Sequence, residues 1–211
     1  MFASINNNQF LKDFLISTFG ADQVIFSNRS AIYKFKTLLL VPEGRDLRKF
    51  KDYISICREI KMKCFSSCNI VEIRDQHLLY GRNELSRKNL LEIDDAFLLS
   101  HNIRKLSLAS QSFKEVILTL SQAKTFTYMV GAGVFYLLFL DDDVKVLEIN
   151  PHQNNSWAQM FGMADLCRLE AYVSNNIQSS TNPAQGDPML DSHVYFDGPL
   201  KYEITKLVSD Y

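Results

Sequence analysis

Residues 133–151 read GVFYLLFLDDDVKVLEINP, and this stretch decides the predicted fold. Two apolar runs flank the three consecutive aspartates Asp141–Asp143, and the second run, Val144–Ile149, alternates in the manner of a strand. A polar tip between two strand-like runs is typical of a β-hairpin. The sequence therefore predicts an antiparallel hairpin over residues 134–149, with the aspartates forming its solvated turn.

Polar side chains follow the second strand of this predicted hairpin. Glu148 and Asn150 lie two positions apart, and His152 comes two residues later. Carboxylate and amide oxygens are suitable ligands for a divalent cation. Glu148 and Asn150 are therefore candidate ligands for a metal ion or a nucleotide phosphate, and His152 is a candidate third polar group.

Composition limits the class of protein. The chain has 211 residues, of which 46% are hydrophobic and 12% aromatic, which is enough for a folded core. The net charge of −1 gives no overall signature of nucleic-acid binding. Charge is uneven along the chain, because residues 1–105 carry a balance of +5 and residues 106–211 a balance of −6. This asymmetry predicts a polarised surface.

The four cysteines and the first 20 residues indicate the cellular compartment of the protein. Cys57, Cys64, Cys68 and Cys167 do not stand at zinc-site spacing, which favours buried thiols in a reducing compartment. Residues 1–20 lack the pattern of a signal peptide, and no apolar run reaches the length of a membrane span. We expect a cytoplasmic protein without a membrane partner.

The order of predicted elements indicates an α+β fold. Apolar spacing predicts helices over residues 6–19, 46–63, 112–128 and 156–177, and strand pairs over 23–27 with 31–41 and 69–74 with 76–80. Ser112 and Glu115 form a capping-box pattern at the start of the third helix. We divide the chain into an N-terminal α+β lobe (1–85), a helical lobe containing the hairpin (86–177) and a loop-rich C-terminal tail (178–211).

Several short motifs resemble the protein-kinase fold. Ala31-Ile32-Tyr33-Lys34 resembles the kinase strand Val-Ala-Ile-Lys, whose lysine holds nucleotide phosphates. The following helix resembles the kinase C-helix, which implies an ion pair between Glu59 and Lys34. The predicted hairpin resembles the one that joins the kinase catalytic loop to the metal-binding Asp-Phe-Gly. The resemblance implies binding of ATP and magnesium by Lys34, Glu59, Glu148 and Asn150.

The departures from the kinase pattern remove the catalytic residues. In the alignment that the hairpin gives, the catalytic aspartate is replaced by Gly131 and a metal-binding asparagine by Tyr136. Asp-Phe-Gly becomes Glu148-Ile149-Asn150. Phosphoryl transfer depends on a positioned base and on bound metal. The resemblance therefore implies a pseudokinase-like module with no catalytic residues, which acts by binding another protein.

Two alternative functions stay open at this point. Val146-Leu147-Glu148-Ile149-Asn150-Pro151 also resembles the end of ATP-grasp enzymes, where Glu and Asn bind magnesium beside ATP. An enzyme of this kind, or one that is kinase-like, would use Glu148 and Asn150. The third possibility is a small α+β immunity protein that neutralises a toxin.

A protein partner requires a contact surface. The segment Ser174–Pro199 is polar, yet it contains the aromatic residues Tyr195 and Phe196. Buried aromatic residues often supply most of the binding energy of an interface. Tyr195 and Phe196 are therefore candidate anchors for the partner, with packing on the C-terminal half as the alternative.

Overall fold

The computed structural model describes nine segments of the chain. These are residues 2–3, 9–21, 25–26, 52–70, 74–81, 89–108, 111–151, 156–179 and 192–209. The strands are β1 Phe2–Ala3, β2 Ile25–Phe26, β3 Gln76–Tyr80, β4 Leu90–Leu91, β5 Ile103–Leu106, β6 Ala123–Met129, β7 Lys145–Asn150, β8 Arg168–Val173, β9 Ile177–Ser179 and β10 Ser192–Tyr195. The helices are α1 Gln9–Phe19, α2 Tyr53–Cys68, α3 Asp95–Ser100, α4 Phe113–Leu120, α5 Trp157–Phe161 and α6 Gly198–Ser209, with 3₁₀ helices at Ala132–Phe139 and Ala164–Leu166.

A five-stranded sheet forms the centre of the described structure. Its strands run in the order β5-β3-β6-β7-β8, and every neighbouring pair is parallel. Within this sheet the chain first forms β3 and then β5 at one edge. It next crosses back over β3 to form β6, and continues to β7 and β8. The direction of winding therefore reverses between β3 and β6. Such a doubly wound sheet is Rossmann-like.

Helices cover both faces of this sheet. Phe126, Tyr128 and Val146 point to one face and belong to a core that includes residues of α2 and α4. Leu147 and Ile149 point to the other face, where residues of α3 and α6 complete a second core. This alternation is what a strand of period two requires when both faces are buried.

Smaller strand pairs flank the central sheet. β10 pairs in parallel with β4 and antiparallel with β9, and β1 pairs in parallel with β2. The expected mixture of helices and strands is confirmed, but its arrangement is a parallel α/β sheet and not the predicted α+β one. The predicted lobe boundaries stay predictions, and the predicted strand over 31–41 lies outside the described residues.

The predicted hairpin over residues 134–149 is wrong. Its first half is the 3₁₀ helix Ala132–Phe139, and its second half is β7, which lies in parallel between β6 and β8. Parallel neighbours need a crossover connection, which the 3₁₀ helix and the turn at Asp141–Asp143 supply. Leu137, Phe139 and Leu140 are buried because this connection packs on the sheet. The apolar run therefore covers the sheet and does not belong to it.

Two predicted helices are much shorter in the structure. The capping box of Ser112 and Glu115 is confirmed, but α4 ends at Leu120 and the chain returns as β6. Threonine alternates with phenylalanine and tyrosine in β6, and these residue types favour strands. The predicted helix over 156–177 ends at Phe161, because Gly162 adopts a left-handed conformation (φ 72°) at its C-terminus.

Candidate functional site

The reversal of winding between β3 and β6 marks the expected ligand site. In open α/β sheets, ligands bind outside the carboxyl ends of the strands at such a point. Here β3 ends at Tyr80 and β6 ends at Met129, followed by the loop of Val130 to Gly133. The adjacent strand β7 brings Glu148 to the same edge, because Glu148 pairs with Tyr128 in the sheet register.

The loop after β6 is held in a conformation that requires glycine. Gly131 has φ 145° and ψ −154°, a combination that residues with a Cβ atom rarely adopt. The amide of Val130 donates a hydrogen bond to Ile149 O at 2.9 Å, and that of Val134 donates to Gly131 O at 3.0 Å. The loop is therefore fixed at both ends.

A partial dinucleotide-binding pattern lies in this loop. A glycine-rich turn between a strand and a helix, with an acidic residue about 20 positions later, is the Rossmann fingerprint G-x-G-x-x-G. Gly131 and Gly133 match its first two glycines, Tyr136 replaces the third, and Glu148 is the acidic residue 17 positions after Gly131. Sequence analysis missed this pattern because the predicted helix ran to Tyr128 and hid the strand before the glycines.

Tyrosine rings occupy the space directly above Gly133. A Cβ atom added to Gly133 would lie 3.1 Å from Tyr80 Cε1 and 3.2 Å from Tyr128 Cδ2. The Tyr136 ring packs edge-on against Tyr80 with centroids 5.2 Å apart. In the fingerprint, the second glycine lets a pyrophosphate approach the backbone. In this chain, the side chains of Tyr80 and Tyr128 make that approach instead.

Glu148 is fully buried and its carboxylate bonds within the protein. Oε2 accepts hydrogen bonds from the Tyr128 hydroxyl at 2.5 Å and from the Ala158 amide at 3.1 Å. The second bond fixes the start of α5 to the sheet. Oε1 is buried and accepts no hydrogen bond from the described residues. Glu148 thus connects β6, β7 and α5, which is a structural arrangement.

The titratable groups around Glu148 are held neutral. Burial and then the Glu148 carboxylate raise the pKa of Tyr128 far above its usual range. Burial, followed by the charge of Glu148, raises the pKa of the Cys167 thiol to about 12. A thiol becomes a nucleophile only as the thiolate. Neither group can therefore act as a base or a nucleophile at neutral pH.

The residues at this edge do not fit a magnesium ion. Asn150 lies on the same face of β7 as Glu148 and is also buried. Magnesium dehydrates reluctantly and usually keeps several waters among its ligands. A fully buried carboxylate that already accepts two hydrogen bonds leaves little room for such a hydrated ion. Among the described residues, no group of three His, Cys, Asp or Glu side chains is placed to hold a metal.

Of the other predicted polar ligands, the structure describes only Glu59, and it lies outside this site. Lys34 and His152 lie outside the described residues. Glu59 lies on the exposed face of α2, where its carboxylate is 2.8 Å from Lys63 Nζ, and the hydrogen bond from Lys63 lowers the pKa of Glu59. The pairing of Lys34 with Glu59 stays a prediction.

The two predicted partner anchors lie on β10 and just after it. The Tyr195 hydroxyl donates to Gln178 Oε1 at 3.1 Å and the side chain is half-buried. Phe196 is buried in the second core, edge-on to Phe97 at 5.6 Å. For Phe196 the structure therefore agrees with the alternative, packing within the protein, because β10 pairs with β4 and β9 and carries this side chain inward.

Exposed apolar side chains lie instead on the short helices that follow β6 and β7. Phe135 on the 3₁₀ helix is 53% exposed and stacks on Phe161 of α5, with centroids 5.8 Å apart. Met160 on the same short helix is 47% exposed. We call the exposed Phe135 and Met160, together with the buried Phe161 on which Phe135 stacks, the carboxyl-edge patch. Sequence analysis missed it because Phe135 was placed inside a strand.

Comparisons with known proteins add no assignment. No protein-family model and no curated protein sequence matches this chain. In the part of the chain that the structure describes, no helix has the length and apolar character to span a membrane. We therefore infer function from the geometry of the carboxyl edge.

Proposed function

We propose that this protein is a non-catalytic binding module that acts through a protein partner. The observation that carries the proposal is the filled site at the winding reversal. Tyr80 and Tyr128 occupy the space above Gly133. Glu148, the carboxylate that matches the fingerprint, accepts a hydrogen bond from the Tyr128 hydroxyl within the protein. A sheet of a nucleotide-binding type, in which the described residues at the winding reversal leave no open phosphate site, supports a binding role over phosphoryl transfer.

The carboxyl-edge patch supports a protein as the ligand. Its aromatic and methionine side chains are of the types enriched at protein interfaces. The two helices that carry it follow the carboxyl ends of β6 and β7, which is the edge where doubly wound folds bind their ligands. We place the partner at this patch. Location of this protein in the cytoplasm also stays part of the proposal.

The alternative functions have less support. An ATP-dependent enzyme would need Glu148 and Asn150 to be open to magnesium, and both are buried. The kinase-like arrangement of lobes rests on Lys34, and the predicted hairpin that supported it is a parallel crossover. A toxin-neutralising immunity protein is a specific form of the proposed binding module. No described contact favours it over other partners.

A variant in the carboxyl-edge patch tests the proposal. We expect Phe135→Ser to weaken capture of a stoichiometric partner from the native cell extract by at least about tenfold, since central aromatic residues dominate interface energies. Affinity chromatography followed by mass spectrometry measures the captured protein. The side chain is half-exposed, so the fold should persist, as circular dichroism can verify.

Leu99→Ser is the matched control. Leu99 is 83% exposed, and α3 carries it near the amino ends of the strands, away from the patch. We expect this variant to capture the partner as the wild type does. If the wild-type chain captures no stoichiometric protein at low salt, or if both variants capture equally, the proposed function or its surface is wrong.

A further inference from the structure

β8 is an open edge of the central sheet. It pairs with β7 and, within the described segments, with no second strand. Arg168, Glu170 and Ala171 are exposed. An edge strand presents a row of unpaired backbone groups, which natural proteins usually blunt or cover. β8 has six residues and contains no proline, so its edge is suited to further strand pairing.

The hydrogen bonds at each end of β8 show which backbone groups point outward. The Arg168 amide donates to Val144 O at 3.1 Å, and the Ser174 amide donates to Asn150 O at 2.9 Å. Backbone groups alternate in direction along a strand, so those of Glu170 and Tyr172 also face β7. The amide and carbonyl groups of Leu169, Ala171 and Val173 therefore point away from the sheet.

A second copy of β8 matches this edge about a two-fold axis. In an antiparallel pair, outward-facing residues must lie opposite one another, so the axis can pass through a residue of β8 but not between two residues. Centring on Ala171 uses all six residues, and it sets Leu169 of each copy against Val173 of the other. Centring on Glu170 would set two carboxylates opposite each other, which is destabilising, and the remaining centres leave more of each strand unpaired.

The side chains are compatible with the Ala171 register. Alanine, the smallest side chain of β8, meets itself on the axis, while Glu170 faces Tyr172 and Arg168 faces Ser174. No charged residue lies opposite its own copy, so the repulsion that disfavours like charges across strands is avoided. Leu169 opposite Val173 is an apolar pair of the kind that stabilises sheets.

Helix α6 extends the same surface. Lys206 Nζ lies 3.6 Å from the Glu170 carboxylate, which places this face of α6 beside β8. Tyr202 lies one helical turn before Lys206 and is 68% exposed. Tyrosine is enriched at protein interfaces, so Tyr202 is a suitable flanking contact.

We infer that two copies of this chain associate through β8, antiparallel about Ala171, to form one continuous ten-stranded sheet. This inference is independent of the partner at the carboxyl-edge patch, because it uses a different edge of the sheet. Six paired residues and Tyr202 form a small interface, so we expect a dissociation constant of about 10–100 μM.

Sedimentation velocity of the full chain across this concentration range tests the inference. We expect a monomer–dimer equilibrium, which Ala171→Pro weakens at least tenfold because proline removes an outward amide. The amide of Ala171 is not used in pairing with β7, and proline is tolerated on sheet edges. Ala171→Lys, which sets two cations on the axis, should have the same effect, whereas Ala171→Val should keep the dimer.

A cross-link tests the register directly. Hydrogen-bonded antiparallel neighbours have Cα atoms about 5.5 Å apart, which is within the range of a disulfide. Ala171→Cys should therefore form an interchain disulfide on mild oxidation, and Leu99→Cys should not. A wild-type chain that stays monomeric at about 200 μM would overturn the inference. So would a dimer that both Ala171→Pro and Ala171→Lys leave intact.

Discussion

Replacing Glu148 with alanine is expected to lower the free energy of unfolding by about 4 kcal/mol. The buried carboxylate accepts hydrogen bonds from the Tyr128 hydroxyl and the Ala158 amide. Each donor left buried without a partner costs about 1–3 kcal/mol, and the cavity adds to this loss. Urea unfolding at neutral pH, followed by circular dichroism, measures the change.

Glu148→Gln is the matched control. Glutamine keeps the size of the side chain and one acceptor oxygen, so both donors retain a partner. The substitution also removes the charge of a carboxylate whose second oxygen, Oε1, accepts no hydrogen bond from the described residues. We expect stability within about 1 kcal/mol of the wild type, or above it. Equal losses in the two variants would contradict the role of Glu148 as a hydrogen-bond acceptor for α5 and β6.

Replacing Asp141 with asparagine is expected to cost about 2 kcal/mol of stability. Asp141 pairs with Arg74, and its carboxylate lies 3.3 Å from Lys61 Nζ. The Lys61 side chain is only 9% exposed, and a buried cation depends strongly on a neighbouring opposite charge. The ion pairs connect α2 to the crossover between β6 and β7, so their loss should loosen that connection. Urea unfolding measures this change too.

The neighbouring residue Asp142 provides the control. Its ion pair with Arg58 is about half-exposed on both sides. Exposed pairs contribute about 0–1 kcal/mol and are screened by salt. We therefore expect Asp142→Asn to have a small effect that disappears in 1 M salt, whereas the effect of Asp141→Asn should largely persist. Similar losses for both variants, equally sensitive to salt, would show that Asp141 acts only through exposed charges.

Local signals in the sequence predicted some elements well. The capping box at Ser112 predicted the start of α4, and apolar spacing predicted the end of α1 at Phe19. The alternation of Val146 and Glu148 against Leu147 and Ile149 is also confirmed in β7. These features depend on neighbouring residues, which is why one sequence shows them.

The pairing of the strands could not be predicted from the same signals. The run before Asp141 is apolar throughout, so its composition does not distinguish a buried strand from a helix that packs on a sheet. The structure resolves this because the strands on both sides of the run are parallel neighbours and need a crossover. Parallel pairing is a long-range property that the turn residues do not indicate.

The candidate site was predicted in part. Glu148 was singled out from its position at the end of a strand, and it does lie at the carboxyl edge of the sheet. Its Oε2 atom accepts hydrogen bonds from Tyr128 and Ala158, and the predicted nucleotide or metal role stays a prediction. The glycines of the loop were recognisable as G-x-G, but only once β6 was known to precede them. The tyrosines that fill the site come from separate strands, and their meeting at Gly133 is visible only in three dimensions.

Isothermal titration with ATP, with and without magnesium, and with NAD tests the central claim that the carboxyl edge is closed to nucleotides. We predict no saturable binding up to about 1 mM nucleotide, because the Tyr80 and Tyr128 rings occupy the space above Gly133. Saturable binding in the micromolar range that is lost in Glu148→Gln, while that variant stays folded, would contradict the claim.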